Sequence, residues 1–546
     1  MRVAICQLNS LIGDIEGNKE RILNGYKKGV QDGADLVICP ELSLVGYPPQ
    51  DLVEKVEFRQ KVKECTEEIA SLTGETGLIF GTITEEYDDV GTDIYNSTVL
   101  CYNGKIQTVQ NKTLLPNYDV FDEVRYFESA KECKIHEFKG EKLGLSVCED
   151  IWNDVDYWKK RRYVNDPVHK QIALGATLLI NISASPYAHG KREQRREMLS
   201  VLTKKDNIPL VYACCAGVQT DLIFDGGSMC FDSKGNLCML GKTYAEDYFI
   251  FDTKKEYEPI KKVESSFEEE ALQALIFGVR EYCSKTRFKE ALIGLSGGID
   301  SAIVTYIAVK ALGKENVHVV MMPSEFSSKG SVDDSVMLIK NLGVTSDKVP
   351  IQPVFECVKN VLEPVFDGRP EDVTEENIQS RIRGLYLMSI SNKFGYILLT
   401  TGNKSEMGVG YATMYGDMCG ALAVIADVYK TDIYKIAHFI NRDSEIIPKE
   451  IIEKAPSAEL RPNQTDQDSL PPYDFLDKIL KMYLEENKEF NQIVKELGKP
   501  DVVKRVLNLV DFNEFKRKQA APALRISTKA FGYGRRYPIV QGWRRR

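Results

Sequence analysis

The chain has 546 residues, with 71 Lys and Arg against 80 Asp and Glu and a formal net charge of −9. Hydrophobic residues make up 43% and charged residues 28%, which is typical of globular proteins and excludes collagen-like, low-complexity and wholly disordered chains. The length predicts at least two domains, each with its own core, and the acidic balance argues against nucleic acid as a partner.

In the first half, short β-rich runs alternate with amphipathic helical runs. Strands are predicted at 3–8, 36–39, 78–84, 97–102, 143–147, 177–182, 210–215, 228–231 and 237–240, and helices at 18–31, 53–72 and 191–206. The pair Asn103-Gly104 predicts a hairpin turn, because both residues tolerate a positive φ. The charged run 253–268 is predicted to be a linker, which gives domains at 1–255 and 265–546.

The second half shows a similar alternation. A helix at 267–283 is followed by strands at 291–295, 317–322 and 396–400 and by helices at 301–312 and 330–342. This order predicts parallel strands with helices on both faces of an α/β sheet. The tail 515–546 contains ten Lys or Arg and no Asp or Glu. It is either a solvated or intersubunit basic segment or a segment close to bound phosphates.

Apolar runs and cysteines indicate the compartment. The longest apolar stretch that we find, 210–218, is far shorter than the about 18 residues of a membrane-spanning helix, so no membrane partner is expected. The run 3–6 is too short for the core of a signal peptide. The thirteen cysteines form no CxxC pair and no zinc-type cluster with histidine. An odd number of thiols without an export signal predicts a reduced, cytoplasmic protein.

Three segments of the first half place a reactive side chain at or beyond the end of a predicted strand, where sites of layered α/β proteins assemble. They are CPELSLVGYPP with Glu41, NKTLLPNYDVFDEVRYF with Lys112, and LSVCEDIW with Cys148. A thiol, a carboxylate and an ammonium suffice for amide hydrolysis, because the thiol attacks the carbonyl carbon, the carboxylate moves the proton and the ammonium stabilises the oxyanion. Taken singly, each residue is more often structural, so the inference depends on the combination.

In this order and with these flanks, the segments resemble the nitrilase superfamily of carbon–nitrogen hydrolases over nearly all of 1–250. The resemblance implies an αββα sandwich with Glu41 as general base, Lys112 as oxyanion stabiliser and Cys148 as nucleophile. Glu123 in FDEVRYF stands at the place of a second acidic residue, which is either catalytic or a structural partner of Lys112.

The segment NISASPYAHGKREQR resembles the substrate loop of glutamine-hydrolysing members of that superfamily. This likeness implies that Ser185 and Lys191 hold the α-carboxylate of glutamine. Tyr118, in the loop that follows Lys112, is implied as a third glutamine-binding residue.

The predicted strand 291–295 runs into SGGIDS, residues 296–301, and then into a helix. Glycines allow a tight turn, and the free N–H groups at the helix N-terminus form an anion site. The Walker A pattern GxxxxGK[ST] is absent. The loop instead resembles that of ATP pyrophosphatases, which implies a Rossmann-like, parallel-sheet domain and ATP as co-substrate. The residues implied to bind ATP are Gly294, Ser296, Gly297, Gly298, Asp300 and Ser301.

Further segments extend this likeness over roughly 267–546 to the ammonia-consuming NAD⁺ synthetases: ENIQSRIRG, TTGNKSE, MYGD, DVYKTD and APSAEL. The resemblance implies that ATP is also bound by Thr401, Lys430 and Ser457. Deamido-NAD⁺ would be bound by Asn377, Glu406, Asp417 and Lys516. Asp300 and Glu406 offer two hard oxygen ligands, which suit Mg²⁺ on substrate phosphates.

Together the two halves resemble the family of glutamine-dependent NAD⁺ synthetases. The resemblance implies that ATP adenylates the nicotinate carboxylate of deamido-NAD⁺, that pyrophosphate leaves, and that ammonia from glutamine displaces AMP. It also implies a homo-oligomer. Two alternatives stay open: another pyrophosphate-loop glutamine amidotransferase with a different acceptor, and a binding or scaffold protein with a decayed hydrolase half.

Overall fold

The computed structural model describes residues 1–87, 90–261 and 265–543, and it forms two compact units, Met1–Glu264 and Ser265–Arg546. Of the predicted linker 253–268, residues 262–264 lie outside the described residues, as do 544–546 of the basic tail. Residues 253–261 of this run contact the first unit. The Tyr257 ring lies 5.4 Å from the Phe251 ring, and the Ile260 N–H donates to the Leu237 carbonyl at 2.8 Å.

The first unit consists of two six-stranded sheets flanked by helices. Its strands are β1 (Arg2–Gln7), β2 (Leu36–Ile38), β3 (Gly77–Glu85), β4 (Ile94–Tyr102), β5 (Lys105–Asn111), β6 (His136–Phe138), β7 (Glu141–Val147), β8 (Leu178–Ser183), β9 (Leu210–Cys214), β10 (Ala216–Gln219), β11 (Leu222–Asp225), β12 (Met229–Phe231), β13 (Leu237–Leu240) and β14 (Asp247–Asp252). Its helices are α1 (Ile15–Gln31), α2 (Val56–Ser71), α3 (Pro167–Ala173) and α4 (Lys191–Asp206). The sheet orders are β14-β1-β2-β3-β4-β5 and β13-β12-β9-β8-β7-β6, and β10 pairs with β11.

Side-chain alternation along β1 produces the layers, because successive residues of a strand face opposite sides. Val3 and Ile5 belong to the apolar cluster between the two sheets, whereas Ala4 and Cys6 pack with α1 and α2. A third cluster joins α4 to the outer face of the second sheet. This is the αββα sandwich that the sequence predicted. The hairpin turn also forms as predicted, with φ values of 50° at Asn103 and 74° at Gly104.

The second unit is built on a five-stranded sheet in the order β17-β16-β15-β18-β19, in which all neighbouring strands are parallel. The strands are β15 (Ala291–Gly294), β16 (Val317–Met321), β17 (Thr345–Lys348), β18 (Ile397–Thr400) and β19 (Leu422–Ala423). The helices are α5 (Phe267–Thr286), α6 (Ile299–Leu312), α7 (Lys329–Leu342), α8 (Gln352–Phe366), α9 (Val373–Phe394), α10 (Lys404–Val409), α11 (Lys430–Ile440), α12 (Lys449–Glu453), α13 (Tyr473–Leu484), α14 (Phe490–Leu497), α15 (Pro500–Phe512) and α16 (Glu514–Arg517).

The strand order reverses between β15 and β18. In open parallel sheets, ligands bind at such a switch point, beyond the carboxyl ends of the strands. The loop 296–298 follows β15 and the segment 401–406 follows β18, so the two predicted nucleotide-binding segments begin side by side.

The basic tail is largely packed into the second unit, which excludes a fully solvated tail. Arg517, Arg525 and Arg535 are each at most 9% exposed. Arg517 donates to the Gly408 carbonyl at 2.7 Å, and Arg535 pairs with Glu514 at 2.6 Å.

Among the helices of residues 1–87, 90–261 and 265–543, none has the length and the apolar composition that spanning a bilayer needs.

Candidate functional site

Three ionisable side chains meet inside the first unit. The Lys112 ammonium lies 2.8 Å from Glu41 Oε1 and 2.7 Å from Glu123 Oε1. Lys112 is 0%, Glu41 2% and Glu123 4% exposed. Buried charges are costly unless they are paired and fully hydrogen-bonded, so each of the three groups depends on the other two.

Neutral donors complete the bonding of both carboxylates. Asn96 Nδ2 donates to Glu41 Oε1 at 2.7 Å, and the Ala184 N–H donates to Glu41 Oε2 at 2.7 Å. The Tyr47 hydroxyl donates to Glu123 Oε1 at 2.8 Å. Sequence reasoning missed Asn96 and Ala184, because they lie on β4 and just after β8 and carry no motif that marks them.

Cys148 follows β7 directly, and its φ of 44° lies in the left-handed region, which is costly for a residue other than glycine. Asp150 stabilises this turn, since its Oδ2 accepts the Val147 N–H at 3.0 Å. Its Oδ1 accepts the N–H groups of residues 113–114 at 3.0 and 2.8 Å. Asp150 therefore links the cysteine turn to the loop that begins at Lys112.

The charges of this site act on one another. Burial raises the pKa of the Cys148 thiol well above its usual range, and Glu41 raises it further, whereas Lys112 lowers it. Burial lowers the pKa of Lys112, but Glu123 and Glu41 outweigh that effect and keep it well above its usual value. The resting thiol therefore keeps its proton, and a base must remove that proton before the sulfur can attack.

A further buried carboxylate lies next to the cysteine in sequence. Glu149 is 5% exposed. The Tyr118 hydroxyl lies 2.9 Å from Glu149 Oε1 and 3.1 Å from Oε2, and the Tyr163 hydroxyl lies 2.9 Å from Oε1. Within residues 1–87, 90–261 and 265–543, no Lys or Arg forms an ion pair with Glu149. Its position directly after Cys148 was the one sequence signal for it.

The residues predicted to bind glutamine surround this region. Ser185 is 2% exposed and follows the residue whose N–H binds Glu41. The Phe121 ring lies 5.4 Å from the Tyr118 ring and 5.9 Å from the Lys191 ammonium. Tyr118 and Lys191 therefore both lie near the Phe121 ring.

The second unit contains the glycine loop after β15. Gly297 has a φ of 79°, and a Cβ there would lie 2.3 Å from the Ser331 carbonyl oxygen. Ser301 Oγ donates to the Gly298 carbonyl at 3.0 Å and accepts the Ser296 N–H at 3.3 Å. The loop is thus closed by its own hydroxyls, and the neighbouring Ser331 backbone requires glycine at 297.

Asp300, Glu406 and Lys430 meet beside this loop. The Lys430 ammonium contacts Asp300 Oδ2 and lies 3.1 Å from Glu406 Oε1, and Lys430 is 2% exposed. Asn403 Nδ2 donates to Asp300 Oδ1 at 3.1 Å. Burial raises the pKa of Glu406 to about 7, although Lys430 opposes the shift. Two carboxylates therefore share one cation at the switch point.

A third carboxylate of this region was not predicted. Asp466 is 4% exposed, and the Tyr473 hydroxyl donates to its Oδ2 at 2.8 Å. The same hydroxyl lies 3.4 Å from Glu406 Oε1. Burial raises the pKa of Asp466 and the Lys430 charge opposes that shift, so Lys430 acts on a third carboxylate. Nothing in the sequence around 466 distinguishes it from a surface acid.

Three of the four residues predicted to bind deamido-NAD⁺ lie around the segment 410–417. The Thr413 hydroxyl donates to Asn377 Oδ1 at 2.9 Å, and the Thr413 N–H donates to Asp417 Oδ1 at 2.6 Å. Lys516 Nζ donates to the Gly410 carbonyl at 2.7 Å. Burial raises the pKa of Asp417 to about 6. The fourth residue, Glu406, belongs instead to the Lys430 cluster.

Thr401 and Ser457 are less firmly connected to the other residues predicted to bind ATP. Thr401 directly follows β18, and Ser457 is exposed, with its hydroxyl accepting the Glu459 N–H at 3.1 Å. Glu459 in turn accepts the Ser331 hydroxyl at 2.6 Å. Because Ser331 also contacts Gly297, the segment that carries Ser457 is anchored beside the glycine loop.

Comparison with known proteins decides the family. A carbon–nitrogen hydrolase family model matches residues 2–258, and an NAD synthase model matches residues 271–520. Proteins named glutamine-dependent NAD(+) synthetase from Synechocystis sp. and Thermotoga maritima are 42% and 41% identical, over 99% of this chain in both cases and 99% and 98% of those proteins. The chain belongs to the family of glutamine-dependent NAD⁺ synthetases. The solved structure of the Acinetobacter baumannii glutamine-dependent NAD⁺ synthetase, in complex with adenosine diphosphate, matches with a TM-score of 0.78 and 36% identity over 99% of each chain.

Membership of the glutamine-dependent NAD⁺ synthetases confirms the predicted family and both predicted folds. It sets aside a scaffold protein with a decayed hydrolase half, since the full length of the chain aligns with proteins of this name. It also disfavours an amidotransferase with a different acceptor, because the second unit matches the NAD synthase model.

Proposed function

We propose that this chain makes NAD⁺ by hydrolysing glutamine in its first unit and amidating adenylated deamido-NAD⁺ in its second. The observation that carries the proposal is the buried pair of Glu41 and Lys112, whose charges act on the Cys148 thiol, in a chain that also has a phosphate-type loop at the switch point of a parallel sheet. An amide-cleaving site is useful in such a chain only if the second site consumes the ammonia.

In the first unit, Glu41 takes the Cys148 proton as the sulfur forms a bond to the amide carbon of glutamine. The carbonyl electron pair moves to oxygen, where Lys112 stabilises the negative charge. When the tetrahedral species collapses, the C–N bond breaks and Glu41 returns the proton to the departing ammonia. A water molecule, deprotonated by Glu41, then hydrolyses the thioester to glutamate and restores the thiol.

Glu123 acts as a positioning residue in this scheme. It is bonded to Lys112 and Tyr47, and its charge balances the lysine when Glu41 becomes protonated. The ammonium therefore keeps one anionic partner at every stage of the reaction.

The α-amino acid end of glutamine carries two charges, and the site offers a partner for each. Glu149 is a buried carboxylate bonded by two neutral hydroxyls, and buried carboxylates need a cation. It binds the α-ammonium of glutamine. Ser185 and Lys191 bind the α-carboxylate, and Tyr118 shapes the pocket between the two ends.

In the second unit, the loop Gly294, Ser296, Gly297, Gly298 and Ser301 binds the ATP phosphates, with Thr401, Lys430 and Ser457 as further contacts. The nicotinate carboxylate attacks the α-phosphorus, pyrophosphate leaves, and ammonia then replaces AMP at the carbonyl carbon. Asn377, Glu406, Asp417 and Lys516 bind deamido-NAD⁺.

Asp300 and Glu406 fit Mg²⁺. Both are carboxylates, and they already share one cationic partner, the Lys430 ammonium. Mg²⁺ is usually held by one or two carboxylates together with substrate phosphates. There the metal would supply positive charge for the phosphate oxygens, and Lys430 holds the two carboxylates close together.

The chain forms a homo-oligomer in this proposal. Exposed apolar side chains on α8 and α9 support it, namely Val361, Val365, Leu385 and Phe394, which are 59–74% exposed. Light scattering tests the oligomer.

All thirteen cysteines are free thiols, which supports a reducing compartment, and the cytoplasmic location stays a prediction.

The test of the proposed function is an assay of the purified protein with ATP and Mg²⁺. NAD⁺ and pyrophosphate should form in equal amounts with deamido-NAD⁺ and either glutamine or a high concentration of ammonium. Omission of deamido-NAD⁺ should stop pyrophosphate release. Pyrophosphate release with another acid but not with deamido-NAD⁺ would reject the proposal.

A further inference from the structure

The loop 152–166 connects the turn of Cys148 to α3 and has no role in the function proposed above. It is rich in aromatic and basic residues, and a buried amide holds its C-terminal part. Asn153, 1% exposed, donates from Nδ2 to the Tyr163 carbonyl at 2.9 Å and to the Asn165 carbonyl at 2.6 Å. Its Oδ1 accepts the Tyr163 N–H at 3.3 Å. The backbone of Tyr163 is therefore held on both sides by a single side chain.

This arrangement carries the Tyr163 hydroxyl to Glu149. Tyr163 and Tyr118 approach the same carboxylate from different segments, each at 2.9 Å from Oε1. Burial and the Glu149 charge raise the pKa of both tyrosines above the usual value, so both hydroxyls keep their protons and act as donors. Two donated protons use at most half of the about four acceptor positions of a carboxylate, which leaves acceptor positions for a substrate cation.

Arg162, the residue before Tyr163, closes this arrangement on the outside. Its guanidinium carbon lies 3.6 Å from the centre of the Tyr118 ring, within the distance of a cation–π contact. The loop thus contacts both partners of Glu149: it supplies Tyr163 and covers Tyr118. The loop supplies no positive charge to Glu149. Arg162 lies over the Tyr118 ring and, in the described residues, forms no ion pair with Glu149.

We infer that Tyr163 is a positioning residue for glutamine selection: together with Tyr118 it fixes the Glu149 carboxylate where the α-ammonium of the substrate binds. The inference rests on the proposed glutaminase function. It assigns to the loop 152–166 the discrimination between glutamine and amides that lack an α-amino group. The reaction itself, at Cys148, does not involve Tyr163.

The experiment compares glutamine with 4-carbamoylbutanoate, which has the same amide and carboxylate but no α-amino group. Tyr163→Phe should raise KM for glutamine about tenfold, the range expected for one hydrogen bond to a charged group, with little change in kcat. The kcat/KM for 4-carbamoylbutanoate should stay within about twofold of the wild-type value. Tyr157→Phe is the matched control, because the Tyr157 hydroxyl has no hydrogen-bond partner in the described residues.

A double-mutant cycle tests whether Tyr163 acts through Glu149. In a Glu149→Gln background, Tyr163→Phe should change KM for glutamine by less than about twofold. Equal losses for both substrates, or full additivity of the two substitutions, would overturn the inference and leave the glutaminase function intact. The denaturation midpoint of the first unit serves as the measure of folding. A wild-type protein that releases no ammonia from glutamine would overturn both the proposed function and this inference.

Discussion

The Lys112 ammonium and the Glu41 carboxylate lie 2.8 Å apart with both side chains fully buried. The charges of this pair act on the Cys148 thiol, whose pKa burial raises well above its usual range. In the resting site, Lys112 and Glu41 form an ion pair and the Cys148 thiol is neutral. The thiol proton must therefore move to Glu41 as the sulfur attacks.

Removal of the thiol should separate the two activities. Cys148→Ala should abolish glutamine-driven NAD⁺ synthesis, because no thioester can form, and should keep ammonium-driven synthesis within about twofold of wild type. Steady-state NAD⁺ formation with each nitrogen donor measures the effect. Loss of both activities in a folded variant would contradict the assignment of the two reactions to separate sites.

Removal of the lysine should destabilise the first unit as well as inactivate it. Lys112→Met leaves Glu41 and Glu123 buried without their cation, and breaking a buried ion pair costs about 3–5 kcal/mol. Chemical denaturation, monitored by the unfolding of the first unit, measures the loss in unfolding free energy. Glu41→Gln in the same protein is the control, since Lys112 then keeps Glu123, and its loss of stability should be smaller. Equal stability of the lysine variant and wild type would argue that the triad is not buried.

The pH dependence of stability should contain a contribution from Asp150. Burial raises its pKa from 3.8 to about 7, against the opposing backbone N–H donors. A carboxyl with a raised folded-state pKa binds its proton more tightly in the native state, so its contribution to stability is complete below about pH 4 and is lost as the pH rises to about 7. The unfolding free energy of wild type minus that of Asp150→Asn should therefore fall between pH 4 and 7. A rise over that interval would refute the assignment.

The glycine loop offers a prediction confined to the second unit. Gly297→Ala puts a Cβ 2.3 Å from the Ser331 carbonyl at a φ of 79°, so the loop must move. Synthesis with either nitrogen donor should fall at least tenfold, while basal ammonia release from glutamine stays largely unchanged. Gly330→Ala is the control, because the nearest atom to its Cβ is Ser328 Oγ at 3.9 Å. Full synthetic activity of the Gly297→Ala protein would show that the loop does not bind the phosphates.

Much of the fold followed from local patterns. The helix α4 has its predicted bounds, and each predicted strand lies within about three residues of an observed one. The short buried strands β10, β11 and β19 were not predicted. The strand β17, with the sequence TSDK, was not predicted because all four residues are exposed and polar. The position of β17 in the sheet is set by its pairing with β16, and such pairing cannot be seen in a local sequence pattern. The helices α8 and α9 were also not predicted. Phe355, Val358 and Leu362 of α8 and Ile378 and Ile382 of α9 pack in one apolar cluster, so their helical spacing was a signal that the sequence interpretation did not use.

The candidate site divides in the same way. Glu41, Lys112 and Cys148 could be recognised because each sits in a motif at the end of a strand. Asn96 could not, because its importance comes from burial and from a partner distant in sequence. Asp466 could not, because nothing near it in the sequence shows that it is buried. Glu149 had one signal, its position directly after Cys148. Glycine at 297 was predicted from the ligand it would admit, and the structure adds that the Ser331 backbone already leaves no space for a side chain.

The central claim is that the nitrogen released at Cys148 becomes the amide nitrogen of NAD⁺. Its most direct test supplies glutamine labelled with heavy nitrogen at the side-chain amide, together with unlabelled ammonium at low concentration, and measures the mass of the NAD⁺ formed. The wild-type protein should yield NAD⁺ one mass unit heavier, and Cys148→Ala should yield only unlabelled NAD⁺. Unlabelled NAD⁺ from the wild-type protein, with labelled glutamine left intact, would contradict the claim.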